Sequence, residues 1–148
     1  MIIDKRTTFA AATALNTGAA GTYLLGDVID LQASGLNLGV GMPLWLVIQI
    51  STAATSAGSA TATFKLASDA QGAIATDGTA SVHLVSDTIP VASLTAGKTV
   101  LAIALPRGTY ERYLGLLQVT GTAAFTAGAV NAFLTFDPPD WRAYSDGI

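Results

Sequence analysis

Residues Ser59 to Leu66 alternate without a break, with Ala60, Ala62, Phe64 and Leu66 on one side and Ser59, Thr61, Thr63 and Lys65 on the other. A repeat of two is the signature of a half-buried strand, because successive side chains of extended backbone point to opposite faces. A helix would scatter these apolar residues around its axis instead of gathering them on one stripe. Much of the chain is built in the same way, as short runs rich in Thr, Val and Ile separated by Gly, Pro, Asn and Asp. Glu111 is the single glutamate, so the Glu–Lys pairs that support a helix surface are missing. These features predict an all-β protein.

The segments Tyr23–Leu31, Leu44–Ile50, Ser59–Leu66, Val82–Val85, Thr88–Leu94, Thr99–Leu105, Tyr113–Thr120 and Gly128–Phe136 read as strands. That makes roughly eight, the number of a two-sheet jelly roll or Greek-key sandwich. Leu44–Ile50 is almost continuously hydrophobic, as expected of a central strand buried on both faces. Thr95–Lys98 reads as a hairpin turn joining its two neighbours. The stretch 51–62, rich in Ala, Thr and Ser, alternates and reads as strand, and Asp69–Gly78 as a polar connection able to carry a flexible loop. Phe9–Leu15 reads as an ordered extended or irregular arm in preference to a turn or two of helix. In the last strand Val130, Ala132, Leu134 and Phe136 are expected to face inward, with Phe133 at an interface or under a loop.

The length, 148 residues, is that of one domain spanning 1–148. Half the residues (51%) are hydrophobic but 11% are charged, well below the roughly 25% of an average soluble chain. So bland a surface favours assembly with partners. The seven basic residues are scattered along a chain of net charge −3, which argues against a phosphate-tracking face and against nucleic acid as partner. No run approaches the roughly 20 apolar residues of a membrane span, and the amino terminus lacks the residue order of a signal peptide. There is no cysteine, hence neither a disulfide nor a cysteine nucleophile.

Catalytic patterns are lacking. His83 is the single histidine and reads as an exposed strand residue on the face opposite Val82 and Leu84; no histidine cluster offers a metal site. No Gly-x-Ser-x-Gly elbow is present. Asp27 with Asp30, and Asp137 with Asp140, are spaced like paired carboxylates, but aspartates at strand ends are above all turn formers. Gly39-Val40-Gly41 is a loop signal. The expectation is a protein that is not an enzyme, with neither catalytic residues nor a cofactor nor a metal.

The two ends carry more information. Asp137-Pro138-Pro139-Asp140-Trp141-Arg142-Ala143-Tyr144 places two stiffening prolines before residues enriched at interface hot spots. Such a tail either folds back over its own domain or meets a partner. Met1-Ile2-Ile3 is a second apolar end that docks on its own sheet or on a neighbour.

These ends, with Thr55-Ser56-Ala57-Gly58-Ser59-Ala60-Thr61 and Glu111-Arg112-Tyr113-Leu114, resemble the capsid cement (decoration) proteins of short-tailed bacteriophages. The likeness runs the length of the chain and is most specific at Asp140-Trp141-Arg142-Ala143-Tyr144-Ser145-Asp146-Gly147-Ile148. It departs at Gly115, where a longer polar side chain is expected, and in the 69–78 loop. The resemblance implies a jelly-roll sandwich with extended terminal arms, sitting on the outer surface of an icosahedral virion and clamping adjacent major capsid proteins. It implies a homo-oligomer, a dimer with a trimer as the other order, made in the host cytoplasm. Ile3, Trp141, Arg142 and Tyr144 are then the expected contacts, three as apolar anchors and Arg142 as a charge-assisted donor. The alternative is a jelly-roll carbohydrate-binding or receptor-binding module, since this architecture also hosts lectins.

Overall fold

The computed structural model describes residues 4–38 and 40–136. A 3-10 turn, Lys5–Thr7, leads into β1 (Thr8–Ala14), β2 (Gly21–Asp30), β3 (Leu36–Leu38), β4 (Trp45–Ser56), β5 (Thr61–Asp69) and β6 (Ser81–Val85). After these come β7 (Ile89–Pro90), a second 3-10 turn (Val91–Ser93), β8 (Thr99–Ala104), β9 (Gly108–Tyr110), β10 (Tyr113–Gly121) and β11 (Phe125–Thr135). One sheet runs β1-β11-β4-β8 and the other β2-β10-β5-β6, with β7 also on β5; β3 and β9 form a separate ribbon.

The pairings are antiparallel and nested: β5 with β6, β4 with β8, β2 with β10, and β1 with β11. The chain is therefore one long hairpin, turned near residues 70–80 and rolled so that successive pairs fall alternately in the two sheets. This strand order is that of a jelly roll, as the sequence predicts, with β3, β7 and β9 as short additions.

Both sheets supply the core. Leu46, Ile48 and Ile50 of β4, Ala62, Phe64 and Leu66 of β5, Leu114 and Leu116 of β10, and Val130, Ala132 and Leu134 of β11 pack in one cluster. The alternation in Ser59–Leu66 thus points the right way, and Leu44–Ile50 is central and buried on both faces around Leu46, Val47 and Ile48. One end of the sandwich is closed by a polar plug. Gln118 is fully buried; its Oε1 accepts the Asn16 N–H (2.9 Å), and its amide donates to Asn16 O (3.1 Å) and Thr120 Oγ1 (2.9 Å). Near the other end, where β1 meets β2, Gly26 adopts φ +74°, and a Cβ there would run into the Phe9 carbonyl.

Several expectations need correcting. Phe9–Leu15 is extended and irregular as expected, but it is no separate arm: it is the body of edge strand β1, held by β11 through two register shifts. Its place is set by a partner more than a hundred residues away in sequence, which local composition does not encode. The Thr95–Lys98 turn exists, with the Lys98 N–H donating to Thr95 O (3.2 Å), but it does not join a hairpin. β7 pairs with β5 whereas β8 pairs with β4, so the chain changes sheets here, turning through Val91–Ser93 after Pro90. The stretch 51–62 is interrupted after Ser56 and resumes at Thr61. Phe136 lies beyond β11 and is 63% exposed, because pairing with β4 ends at Thr135.

The 69–78 connection is also tied down. Asp69 Oδ2 accepts the Ala75 N–H (3.0 Å), Asp77 caps Thr79, and Ile74 is buried with Ala67, Ala80 and Leu117 in a small second core on the outer face of the β5–β10 sheet.

Candidate interaction surface

Both described ends of the chain leave the sandwich together. Thr8 of β1 stands directly opposite Phe133 of β11, so Asp4 and Phe136 emerge from adjacent strands at one end. The same end receives the start of β4, since Trp45 opposes Thr135, and the end of β8, since Trp45 also opposes Ala104. Four of the large apolar side chains that the described residues expose gather in this region: Val40 and Met42 just before β4, Ile103 on β8, and Phe136 after β11. Met42, at 73%, is the most exposed of them. Gly41 beside it adopts φ +90° with nothing near its Cβ position, so the backbone here projects into open space. Exposed apolar side chains that share one end of a sandwich make that end the candidate interaction surface.

Beside this cluster the 3-10 turn and β2 enclose an open cleft of about 840 Å³ lined by residues of both signs, Lys5 and Arg6 across from Asp27 and Asp30. Asp30 has a fixed task. Its two oxygens accept Arg112 Nε and NH2, each at 2.9 Å, and Oδ1 also accepts the Gln32 N–H (2.8 Å). The Arg112 fork, joined by that amide, holds the Asp30 carboxyl below the ordinary carboxylate range and raises the guanidinium in turn. Arg112 also lies 5.0 Å over the Tyr113 ring. Asp30 is thus both turn former and clamp between β2 and the β9–β10 link, while no such contact marks it as half of a catalytic pair.

His83 is not the exposed strand residue that the sequence suggests. A bulge between Leu84 and Val82, where β6 shifts register on β5, turns the ring so that Nε2 meets Ser68 Oγ at 2.7 Å and the ring stacks on Tyr110 with centroids 3.9 Å apart. The Ser68 oxygen also accepts the Glu111 N–H (3.1 Å), and the Glu111 carboxylate accepts from Ser81 Oγ (2.6 Å). Beyond the lone pair used by that amide the Ser68 hydroxyl keeps a proton and a second lone pair, so it can donate to or accept from His83 Nε2 according to the ring's tautomer. A hydroxyl hydrogen-bonded to an imidazole has the form of a nucleophile and its base, but Ser68 is fully buried and reaches no solvent. The pair fastens β5, β6 and the β9–β10 link together. Tyr110, itself fully buried, closes the corner by donating its hydroxyl to Pro106 O at 2.7 Å.

Of the residues expected at the interface, Ile3, Trp141, Arg142 and Tyr144 lie outside the described residues. The structure adds Val40, Met42 and Phe136 to the candidates. The first two had a sequence signal: bulky apolar residues alternating with glycines in an otherwise polar connection. Among the described residues there is no group of three or more His, Asp or Glu side chains placed to hold a metal ion.

A comparison with the curated proteins finds no match. A family model does match, from Phe9 in β1 to Leu134 in β11, and so takes in the strands of both sheets while leaving the two ends outside. Over residues 9–134 the chain belongs to the Bbp16 family.

Proposed function

We propose that this chain is a phage structural protein, and within that class a capsid cement protein that binds the outer surface of an icosahedral shell and bridges adjacent major capsid proteins. The observation that carries the reading is the Thr8–Phe133 pair, which brings both described ends of the chain to the end of the sandwich where Val40, Met42 and Phe136 are exposed. Membership of the Bbp16 family and the resemblance of the ends to phage cement proteins support it. A homo-oligomer, a dimer first, is the working form on the virion surface.

The energetics suit repetition. Fully burying a side chain of the size of Met42 or Phe136 contributes about 1.5–3 kcal/mol, so two or three anchors make a modest contact once association entropy is subtracted. An icosahedral shell repeats that contact at every equivalent site, and rupture must break many of them together. The deciding experiment is addition of the purified chain to phage capsids that lack it, with particle-bound copies counted after sedimentation and particle rupture followed on heating. Saturable binding with a raised rupture temperature is expected. Absence of binding overturns the proposal, and binding to a glycan array in its place would favour the carbohydrate-binding alternative.

A further inference from the structure

Each of the two main sheets ends in two edge strands, and an edge presents a row of unpaired N–H and C=O groups to which another strand can add. Three of these edges are blunted. β1 is broken by two register shifts, holds Ala12 at φ +48°, and packs beside β2. β2 loses register at Gly26 and carries Asp27 and Asp30. β6 is five residues long and bulged at His83, and β7, which continues its edge, ends in Pro90. β8 differs. Residues 101–104 pair one for one with residues 45–48 of β4, and no charge occurs between Lys98 and Arg107. The Leu105 N–H donates to Leu44 O (2.7 Å), so Leu105 belongs to a hydrogen-bonded pair, and by alternation so do Ile103 with Leu46 and Leu101 with Ile48. The N–H and C=O groups of Ala102 and Ala104 therefore point away from β4, and among the described residues no strand meets them. Ile103 between them is 40% exposed although Leu46 opposite is wholly buried, because no further strand of the described residues flanks β8.

We propose that this edge pairs with the β8 edge of a second copy of the chain, antiparallel and centred on Ile103. A two-fold axis there sets Ala102 opposite the partner's Ala104 and Ala104 opposite the partner's Ala102, so every outward N–H and C=O of the two alanines is bonded. Ile103 meets its own copy in the pair between them, a non-hydrogen-bonded one in which Cα atoms stand about 4.5 Å apart and side chains lie closest. Leu101 falls opposite the partner's Leu105, and Pro106, without an N–H, ends the ladder. A slide by one residue would set these outward groups against groups already bonded within each sheet. A slide towards Val100 meets the register shift between Ile48 and Gln49. The edge is thus complementary to itself, and such a contact closes at two chains, which argues for a second copy over a foreign strand. Pairing joins two four-stranded sheets into one. A stretch this short buries less than the roughly 1,600 Å² of a standard interface, so the dimer dissociates on dilution. The inference rests on the dimer of the proposed function and names its contact, apart from the capsid contact proposed for Val40, Met42 and Phe136.

The chain has no cysteine, so a single introduced one reports cleanly. In full-length Ile103→Cys the two sulfurs face each other across the pair, at a Cα separation within the roughly 4.4–6.8 Å that a disulfide spans. Mild oxidation should therefore give a covalent dimer severalfold faster than in Val85→Cys, whose residue is equally open to solvent on β6. Equal rates overturn the assignment. Sedimentation of the parent over a range of concentrations should show a monomer–dimer equilibrium that Ile103→Lys weakens severalfold. Ala104→Pro should weaken it too, since the ring removes an outward N–H that takes no part in the β4 ladder. A dimer that both variants leave intact overturns the β8 edge while keeping the dimer itself. A parent that stays monomeric at every concentration overturns both, and capsid binding, measured separately, still decides the rest of the proposed function.

Discussion

Ile74 occupies the space that a side chain on Gly115 would need: a Cβ at Gly115 would lie 2.7 Å from Ile74 Cγ1 and 3.2 Å from Leu24 Cδ1. The two places where the chain departs from the cement-protein resemblance, Gly115 and the 69–78 loop, are therefore one feature. The missing side chain on β10 makes the socket, and the loop fills it.

Gly115→Val should consequently destabilise the fold by about 1–3 kcal/mol through overpacking. Ile74→Ala alone should cost about 2 kcal/mol, the low end for deletion of a buried aliphatic chain, because the second core is small and superficial. Combined, the two changes should cost less than their sum, since truncating Ile74 vacates the space that the introduced valine needs. Urea unfolding of the three variants against the parent checks this; strict additivity would deny the coupling.

Gln118 makes a second prediction. Replacing it with Leu keeps the volume but strands the Asn16 N–H and carbonyl, together with the Thr120 hydroxyl, at the closed end of the sandwich. Each buried group left without a partner costs about 1–3 kcal/mol, so Gln118→Leu should be more destabilising than Thr120→Val, which removes one bond. Hydrogen exchange should show the Asn16 amide losing protection in the Leu variant well before the amides of β4.

His83 gives the fold a dependence on pH. Burial lowers its pKa below the ordinary 6.5, with the Glu111 charge pulling the other way. The folded chain thus binds fewer protons at His83 than the unfolded chain, so stability rises with pH through this window. The contribution is whole above about pH 6.5, erodes below it, and is gone once the ring is protonated in the folded state. Protonation makes Nε2 a donor across the 2.7 Å contact, where the buried Ser68 Oγ must accept and turn its own proton elsewhere. The melting temperature should fall between pH 7 and pH 5 in the parent and stay flatter in His83→Gln. The carboxyls of Asp30 and Asp77 are held below 3.8, so they remain ionised across this window and do not confuse the comparison.

The parts of this architecture that were legible in the sequence are those governed by local alternation. Ala60 to Leu66 shows its buried side directly, because that strand faces the core on one side and polar surroundings on the other. Phe9–Leu15 and Thr88–Leu94 were only partly legible for the opposite reason. The first is strand because β11 lies beside it, and the second is split because Pro90 and the following turn carry the chain from one sheet to the other. The His83 cluster was hidden by a single bulge in β6, since one extra residue reverses which side a chain points to and alternation cannot announce it. Phe133 defied an in-or-out reading because both faces of β11 are covered near its end.

Met42 separates stability from binding. It is 73% exposed, and changing an exposed side chain away from caps and turns usually shifts stability by no more than about 0.5 kcal/mol. Met42→Asp should therefore leave the melting temperature nearly unaltered. If the Met42 end of the sandwich is where the partner sits, the same substitution removes an apolar anchor and places a charge in a drying interface, at a cost of about 2 kcal/mol or more, which is a loss of at least about thirtyfold in affinity. Val85→Asp is the matched control, since Val85 is likewise exposed, at 52%, but lies on β6 at the edge of the other sheet. Capsid-binding isotherms for both variants decide the matter: loss with Met42→Asp and retention with Val85→Asp would locate the contact, and equal binding by both would move it away from this end.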